Sequence, residues 1–326
     1  MKPKVIIYKK VPQEVLEYIK DSSEVVYYER LNDENYESFI HELKDAEGLI
    51  GSDLPVNADL LDQAPRLKAV SNISVGYDNL DLDELTKRKI IATNTPDVLN
   101  DTTADAIFGL LLATARRFPE LDRYVKTGKW TGPVEQGWFG ADVHHKVIGI
   151  IGMGGIGAAI AKRAHLGFDM KVLYHNRSRN IEAEKLYDAT YCRLEELLQQ
   201  SDYVVLMTPL TGETANLMGE KEFKLMKKSA FFINGSRGKT VDEEALVKAL
   251  QDGEIAGAGL DVFVQEPIPS NHPLLSMENV VTLPHIGSAT TETRTKMSFM
   301  AAESLLTALK GDCPPRLLNK EAFINR

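Results

Sequence analysis

Residues 145–163, HKVIGIIGMGGIGAAIAKR, hold a glycine-rich turn between a strand-like and a helix-like segment. The run Val147–Ile151 is rich in β-branched residues and predicts a buried strand, and an alanine-rich helix follows the turn. Gly152, Gly154 and Gly157 have the spacing G-x-G-x-x-G, which permits a tight turn, close approach to a pyrophosphate and close helix–strand packing. The free amide groups at the start of the helix favour phosphate. A plain tight turn can carry the same glycines, but in this setting they predict dinucleotide binding.

Bulk composition excludes several classes of protein. The 326 residues suit two domains, and 43% hydrophobic with 26% charged residues is ordinary for a globular protein. A net charge of −9 argues against nucleic acid and anionic membrane as partners. Two cysteines, Cys192 and Cys313, fit a reducing compartment, and no apolar run has the length of a signal peptide or a membrane span. We therefore expect a cytoplasmic protein.

Strand-like and helix-like segments alternate along the chain, which indicates α/β folding with parallel sheets. The glycine-rich unit normally opens its domain, and because it lies here in mid-chain, another domain must precede it. Five strand-like segments come before it: KVIIYK, EVVYYE, AEGLIGS, LKAVSN and IIATN. Helical stretches around 15–20, 36–43, 60–63 and 82–88 separate them. Five more strand-like segments follow it: KVLYHN, YVVLMT, AFFING, GAGLDVF and NVVTLP. We predict two doubly wound sheets, the first flavodoxin-like and the second of Rossmann type.

A long helix is predicted in DTTADAIFGLLLATARRF, before the glycine-rich turn. Thr102 and Asp105 have the spacing of a capping box at its start, and Ile107–Ala113 is apolar on every side. A helix of this kind must be covered twice, so we place it at a domain or subunit interface. We expect a two-fold homodimer that uses it.

A second long helix, roughly Thr291–Leu309, has apolar residues at helical spacing and no further glycine-rich unit after it. We expect it to return to the first domain and pack there. The predicted domains are therefore a discontinuous substrate-binding domain, 1–101 and 291–326, and a dinucleotide-binding domain inserted in it, 102–290.

Three segments after the glycine-rich turn place a titratable or charged residue just past a predicted strand. AFFINGS leads to Arg237, GLDVFVQ to Glu266 and NVVTLP to His285. Ligands of open α/β sheets bind beyond the carboxyl ends of the strands, so the three should lie beside the dinucleotide. Arginine binds carboxylates, histidine exchanges protons near neutral pH, and a neighbouring glutamate fixes the histidine tautomer. This set suits hydride transfer to or from a keto acid.

Each of the three residues also has a structural interpretation. Arg237 could be a solvated charge before a helix that opens with a Thr240–Glu243 capping box, Glu266 a turn residue before proline, and His285 a satisfied histidine in a turn. The convergence of three strand ends on one edge favours chemistry over these alternatives. No metal-ligand spacing is present, so we expect no metal site.

The residues after the second strand of the dinucleotide-binding domain bear on cofactor choice. NAD-binding relatives of this fold place an acidic residue there, on the ribose hydroxyls. In this chain the position falls at Asn176, 24 residues beyond Gly152, and Arg177, Ser178 and Arg179 follow. Arginine binds a 2′-phosphate, so the sequence predicts NADP(H) as the preferred cofactor, with NAD(H) still usable. A solvated loop with two incidental arginines is the alternative.

Taken together, IGIIGMGGIG, NGSRGK, GLDVFVQEP, LPHIGSAT, SVGYDNLD and the DTTAD helix resemble the D-isomer-specific 2-hydroxyacid dehydrogenases over nearly the whole chain. Within that family the chain is most similar to the glyoxylate/hydroxypyruvate/2-ketogluconate reductases. The resemblance implies an NAD(P)-dependent oxidoreductase that reduces small 2-keto acids, namely glyoxylate, hydroxypyruvate and 2-keto-D-gluconate, to D-2-hydroxy acids.

The resemblance also implies roles for individual residues. Arg237 would clamp the substrate carboxylate and carbonyl, His285 would be the general acid in reduction, and Glu266 would pair with His285. The backbone N–H groups of Val75 and Gly76 would hold the substrate carboxylate from the first domain.

Further implied contacts concern the cofactor. Asp261 would orient the nicotinamide carboxamide, and Ser288 would lie close to His285 on the substrate side. Trp130 and Trp138 lie in a stretch that reaches the active site in related reductases, although core or interface packing is an equal alternative. The other residues implied to line the cofactor cleft are Thr103, Gly155, Ile156, Thr208, Pro209, Gly235 and Gly287.

Two positions depart from the family pattern. Gly155 stands where many relatives have arginine or lysine, so one phosphate contact should be missing. Val264 replaces the usual acid in D-V-F-E-x-E-P, while the glutamate assigned to catalysis is present.

Two other functions remain as alternatives. A D-3-phosphoglycerate dehydrogenase-like enzyme would need an acid on the ribose and basic residues for a substrate phosphate, and neither is evident. A dinucleotide-sensing, corepressor-like regulator would need a recruitment surface with disordered tails, which the composition does not suggest.

Overall fold

The computed structural model describes residues 2–324, which fall into two compact units. Unit 1 comprises the chain up to Leu99 and from Ala289 onward, and unit 2 comprises Asn100–Ser288. Unit 1 is therefore discontinuous, and unit 2 is inserted in it. The boundaries predicted from the sequence lie two residues further along the chain at each crossing.

Unit 1 contains a five-stranded parallel sheet in the order β2-β1-β3-β4-β5, which is the flavodoxin-like order. Its strands are β1 (Lys4–Ile7), β2 (Glu24–Tyr27), β3 (Gly48–Gly51), β4 (Ala69–Asn72) and β5 (Ile91–Thr93). Its first helices are α1 (Gln13–Lys20), α2 (Asp33–Leu43), α3 (Ala58–Asp62) and α4 (Leu82–Lys87). All five predicted strands and all four predicted helices of this part are confirmed. Asn32 and Asn35 form a reciprocal capping box at the start of α2, which satisfies two backbone donors there.

Unit 2 contains a seven-stranded parallel sheet in the order β12-β11-β10-β9-β6-β7-β8. Its strands are β6 (Val147–Ile151), β7 (Lys171–His175), β8 (Thr190–Tyr191), β9 (Tyr203–Leu206), β10 (Phe231–Asn234), β11 (Gly257–Leu260) and β12 (Val280–Thr282). Its helices are α5 (Asn100–Ala115), α6 (Phe118–Lys126), α7 (Gly155–Phe168), α8 (Ile181–Tyr187), α9 (Leu194–Gln200), α10 (Glu220–Leu225) and α11 (Glu243–Gln251). Short 3₁₀ helices lie at Gln136–Trp138, Gly238–Thr240 and Pro273–Ser276. This is the Rossmann arrangement predicted, and the strand order reverses between β6 and β9.

The start of α5 corrects one expectation. The helix begins at Asn100, so Thr102 is its third residue and the predicted Thr102–Asp105 capping box is wrong. The helix packs against α7, β10 and β11, so most of its packing partners belong to unit 2. Ile107 and Leu111 are fully buried in that core, whereas Gly109 is exposed.

Helix α12 (Thr291–Leu309) has the bounds predicted for the last long helix and packs on β3, β4 and α1 of unit 1. Ser71 donates a hydrogen bond of 2.7 Å to the carbonyl of Ala301, and the rings of Tyr18 and Phe299 lie 5.9 Å apart. The expected return of the chain to its first domain is therefore confirmed. A short helix, α13 (Lys320–Ile324), completes the described chain. None of the helices described has the length and apolar character needed to cross a bilayer.

Candidate active site

The carboxyl ends of the seven parallel strands in unit 2 meet at one edge of its sheet. Gly152 directly follows β6, and Thr208 lies two residues after β9 at the reversal of strand order. Arg237, Asp261 and His285 follow β10, β11 and β12 in turn. The residues predicted from separate strand ends thus share one edge, which is where open α/β sheets bind ligands.

The glycine-rich turn has the geometry of a phosphate cradle. Gly152 has a φ of +103°, and a Cβ there would lie 2.7 Å from the carbonyl carbon of Met207. Gly154 occupies the N-cap of α7, where no side chain from the described residues caps the helix. A Cβ at Gly157 would overlap the carbonyl oxygen of Gly152, so α7 packs tightly against the turn. The three glycines therefore fit their predicted roles in the tight turn, in close approach to a pyrophosphate and in helix–strand packing. No side chain caps the amides of the first turn of α7 within the described chain.

Gly155 and Ile156 follow in the first turn of α7. A Cβ at Gly155 would overlap the side-chain amide of Asn100, so a larger residue at this position would require Asn100 to move. Ile156 is half-buried against the core between α5 and α7. The missing phosphate contact expected at Gly155 stays a prediction.

Thr208 carries an orphaned polar atom at the edge of the sheet. Its hydroxyl is buried and has no hydrogen-bond partner among residues 2–324, while the neighbouring Pro209 is exposed. A buried hydroxyl without a partner costs about 1–3 kcal/mol, so this atom fits a polar ligand group better than an empty site. With the glycine cradle, it supports a bound dinucleotide here.

Thr103, Asp261 and Gly287 lie together, although they come from α5 and from the ends of β11 and β12. A Cβ at Gly287 would lie 3.1 Å from Cγ2 of Thr103 and 3.2 Å from Oδ2 of Asp261. Gly235 is similarly crowded, since a Cβ there would overlap the side chain of Ile107. Four of the residues implied to line the cofactor cleft therefore have close neighbours at this edge, and their cofactor contacts stay predictions.

Asp261 makes a contact that sequence reasoning missed. Its carboxylate accepts hydrogen bonds from the backbone N–H groups of Ile286, at 2.8 Å, and Gly287, at 2.9 Å. Burial raises the pKa of Asp261, although these two bonds and the charge of His285 work in the opposite direction. His285 immediately precedes the two bonded residues and has a left-handed φ of +54°. Asp261 therefore holds the turn that presents the histidine.

His285 and Glu266 form the bond expected of a catalytic pair. Nδ1 of His285 lies 2.7 Å from Oε2 of Glu266, and Oε1 of the same carboxylate accepts the backbone N–H of Phe263 at 3.0 Å. Burial opposes ionisation of Glu266, but these bonds and the charges of His285 and Arg237 lower its pKa below the usual value. Glu266 is therefore a carboxylate at neutral pH and engages Nδ1 of the imidazole.

Arg237 is half-buried at the end of β10, and its Nη1 donates to the carbonyl of Ser236 at 2.9 Å. Its own carbonyl oxygen accepts a bond of 2.6 Å from the hydroxyl of Thr240. The predicted Thr240–Glu243 capping box is therefore wrong, because Asp242 caps α11 by accepting the N–H of Ala245. The Thr240 hydroxyl holds the turn of Arg237 instead, and the charge of Arg237 acts on Glu266.

The two arginines in the loop after β7 differ in their contacts. Arg179 is bound to Glu184, with Nε 2.9 Å from Oε1, whereas Arg177 is exposed and has no ion pair within the described chain. Asn176 is half-buried, and its carbonyl accepts the hydroxyl of Tyr191 at 3.2 Å. Ser178 is exposed beside Arg177.

Asn180 is a second residue that the sequence reasoning missed. Its Nδ2 donates to the carbonyl of Met153 in the glycine-rich turn at 3.0 Å, and its Oδ1 caps α8 by accepting the N–H of Ala183. Its backbone N–H donates to the hydroxyl of Tyr174 at 2.8 Å. The residue thereby links the loop after β7 to the glycine-rich turn. Asparagine before a helix is a local capping signal, but the bond to Met153 has no signature in the sequence.

Val75 and Gly76 belong to unit 1, in the loop after β4. The side chain of Asn94 donates to the carbonyl of Val75 at 2.8 Å, and that of Asn72 to the carbonyl of Gly76 at 2.7 Å. Both carbonyls are thereby fixed, and neither backbone N–H donates to an acceptor in the part of the chain described. The loop has amide groups to offer a carboxylate, and that role stays a prediction.

Three residues are placed without a contact that assigns them to the site. Ser288 is half-buried three residues after His285, and no hydrogen bond joins the two in the structure of residues 2–324. Trp138 packs against Tyr124 with ring centroids 4.9 Å apart, and Trp130 is 56% exposed. Their roles stay predictions.

Comparison with known proteins agrees with this geometry. The NAD-binding domain of the D-isomer-specific 2-hydroxyacid dehydrogenases matches residues 108–287. The chain is 49% identical over 322 residues to a glyoxylate/hydroxypyruvate reductase B of Cronobacter sakazakii, covering 99% of each chain. It is 50% identical over 319 residues to the protein of that name from Escherichia coli K12, covering 98% of each.

A solved structure is similar across both units. It is an NADPH-dependent glyoxylate/hydroxypyruvate reductase from Sinorhizobium meliloti in complex with NADP and malonate, with a TM-score of 0.85 and 32% identity. The match covers 99% of this chain and 98% of that one. The matched domain, the full-length relatives and the convergent strand ends lead to one conclusion: the chain is an oxidoreductase that belongs to the D-isomer-specific 2-hydroxyacid dehydrogenase family.

Proposed function

We propose that the protein catalyses the NADPH-dependent reduction of small 2-keto acids, namely glyoxylate, hydroxypyruvate and 2-keto-D-gluconate, to D-2-hydroxy acids. The observation that carries the proposal is the 2.7 Å bond between His285 and Glu266 at the sheet edge that holds the glycine-rich turn. The names of the relatives at about half identity support the first two substrates. A cytoplasmic location and a homodimer belong to the same proposal.

His285 is the proton donor. Its Nδ1 is engaged by Glu266, so Nε2 is the nitrogen that delivers a proton to the oxygen on C2 of the substrate. Glu266 remains ionised because its pKa is lowered, and it stabilises the imidazolium that reduction consumes. When bound, the nicotinamide cofactor supplies the hydride.

Arg237 anchors the substrate. Its turn is held by the Thr240 hydroxyl, which fixes the backbone from which the guanidinium extends. A guanidinium binds a carboxylate with two parallel charge-assisted bonds and stabilises negative charge that develops on the neighbouring oxygen. Arg237 therefore orients the keto acid and stabilises the alkoxide before His285 protonates it.

The cofactor would be held by the glycine-rich turn, by Thr208 and by the loop after β7. The first-turn amides of α7 suit the pyrophosphate, and the orphaned hydroxyl of Thr208 gains a polar partner. Arg177 suits a 2′-phosphate because it is exposed and unpaired in the described chain, and Asn176 brings no negative charge to repel it.

One partly exposed phosphate–arginine pair contributes about 1.5–3 kcal/mol, or roughly 10- to 100-fold in affinity. We therefore expect kcat/KM to favour NADPH over NADH by at least about tenfold. Arg177→Ala should remove most of that preference by raising KM for NADPH alone. Arg179→Ala should reduce the preference for NADPH less, because Arg179 is bound to Glu184. Lys185→Ala, on the exposed side of α8, is the control for the loss of one positive charge. A wild-type preference for NADH, or an unchanged preference in Arg177→Ala, would refute the cofactor assignment.

The activity itself is tested by following absorbance of the nicotinamide band with NADPH and a panel of 2-keto acids. Turnover of glyoxylate, hydroxypyruvate or 2-keto-D-gluconate supports the proposal. Turnover confined to a phosphorylated three-carbon keto acid would replace it with the phosphoglycerate dehydrogenase alternative. Tight NADPH binding without turnover of any acid would favour a dinucleotide sensor.

A further inference from the structure

A second histidine–glutamate pair lies in unit 2, apart from the residues assigned above. Glu243 is the first residue of α11, and His272 immediately precedes the 3₁₀ helix Pro273–Ser276. Nε2 of His272 lies 3.1 Å from Oε2 of Glu243, and the two side chains are only 18% and 19% exposed. Because the pair is shielded, removing one partner would leave the other without its hydrogen bond in a mostly buried place, which costs more than breaking a surface pair.

The surroundings of His272 fix the direction of the bond. The backbone N–H of Leu274 donates to its Nδ1 at 3.3 Å, so a neutral ring carries its proton on Nε2 and donates it to Glu243. One carboxylate oxygen of Glu243 is thereby held in place.

The other oxygen of Glu243 reaches the loop that carries Glu266. Its Oε1 accepts the backbone N–H of Val264 at 3.2 Å. The preceding N–H, that of Phe263, is bound by Glu266 itself at 3.0 Å. Glu243 from α11 and Glu266 from the loop itself thus bind two successive amides of that loop.

The same peptide also supports the turn of Arg237. A Cβ at Gly238 would overlap the carbonyl group of Phe263 and the amide nitrogen of Val264, so the two loops touch through their backbones. A displacement of the Phe263–Val264 peptide would therefore move Arg237 and Glu266 together.

We propose that Glu243 and His272 are positioning residues that clamp the Phe263–Val264 peptide and so set the placement of Glu266 and Arg237 against His285. This inference rests on the proposed reductase function. The charges that act on Glu266 come from His285 and Arg237, and Asp261 is the other carboxylate that faces the pair. Glu243 bonds the N–H of Val264 and Glu266 bonds the N–H of Phe263, so the link from Glu243 to Glu266 runs through the peptide between them.

The test compares pH profiles of glyoxylate reduction for Glu243→Ala, Glu243→Gln and Glu244→Ala. Loss of the clamp in Glu243→Ala should lower kcat about three- to thirtyfold, because small misplacements of catalytic groups slow the reaction strongly. The KM for NADPH should stay within about twofold of the wild-type value. The alkaline limb should move to lower pH by about 0.3–0.5 units as the bond between His285 and Glu266 weakens. Glu243→Gln keeps an acceptor for the N–H of Val264 but loses the one that Nε2 of His272 uses, so it should recover part of kcat. Glu244→Ala, at an exposed neighbour on the same helix, should match the wild type.

A double variant separates positioning from bracing. If Glu243 acts through Glu266, adding Glu243→Ala to Glu266→Gln should shift the limb no further than Glu266→Gln alone. A lower melting temperature with an unmoved limb in Glu243→Ala would reduce the pair to a structural brace and overturn the inference. A further shift in the double variant would overturn it too. An inactive wild type would instead refute the proposed function, so the two failures are distinguishable.

Discussion

Replacing Glu266 by glutamine tests how strongly its carboxylate stabilises the imidazolium of His285. The substitution keeps the size of the side chain and an oxygen for the Phe263 N–H, while it removes the charge 2.7 Å from Nδ1. Reduction uses the protonated imidazole, so the rate falls as pH rises and the proton is lost. Without the carboxylate the imidazolium is less stable, and the alkaline limb of the profile must move to lower pH.

The size of the shift follows from the exposure of the pair. Two unit charges about 4 Å apart interact by about 1 kcal/mol in bulk water and about 4 kcal/mol at the effective dielectric constant of about 20 that is typical near a protein surface. The side chains of His285 and Glu266 are 44% and 36% exposed, which places the pair towards the weaker limit, at about 1–2 kcal/mol. Since about 1.4 kcal/mol corresponds to one pH unit, the limb should move by about one unit.

The assay is kcat/KM for glyoxylate with saturating NADPH, measured at closely spaced pH values and constant ionic strength. The wild-type kcat/KM should stay level down to about pH 5, because the pKa of Glu266 is lowered from its ordinary value of 4.5. Glu278→Gln is the matched control, since this exposed carboxylate lies at the opposite end of β12. An alkaline limb in Glu266→Gln that coincides with those of the wild type and the control would show that the two residues are not coupled.

Three further predictions concern the same proposal. His285→Gln should lower kcat by about 10²–10⁴ and leave NADPH binding, measured by fluorescence titration, nearly unchanged, and near-normal turnover would remove His285 from the mechanism. Arg237→Lys should raise KM and lower kcat together because an ammonium lacks the guanidinium fork, and parity with the wild type on glyoxylate would contradict bidentate anchoring. Light scattering at micromolar concentration should give the mass of a dimer for the wild type and of a monomer for Gly109→Arg. Gly109 is an exposed position of α5 where a side chain has free space within the described chain, but an arginine there would block close packing of a partner. A monomeric wild type would contradict the dimer.

The elements and the strand ends could be predicted from the sequence because their signals are local. Burial of both sheet faces produces continuous apolar runs whose ends are visible in the sequence, so the sequence alone predicts that Arg237, Glu266 and His285 lie at one edge. Capping was less predictable. Threonine with an acidic residue three positions later occurs inside helices as well as at their starts. The pattern at Thr102 and Asp105 therefore did not locate the start of α5, which is at Asn100. The cap predicted at Thr240 is wrong for another reason. The hydroxyl of Thr240 donates to the carbonyl of Arg237, three residues before it.

The orientation of the catalytic groups depends on contacts that no local pattern encodes. Asp261 binds amides 25 and 26 residues further along the chain, and Glu243 binds the amide of Val264 and the ring of His272. In each case a carboxylate at the end of one element accepts backbone N–H groups of a loop that follows another element. The bond to Gly287 is the buried one, and leaving that N–H unbonded would cost about 1–3 kcal/mol. The backbone donors that need a partner are visible only once the loops are folded. The sequence therefore names the residues that we propose to react, whereas the tertiary hydrogen bonds determine how far apart they are held. The variants of Glu243 and Glu266 measure the effect of those hydrogen bonds.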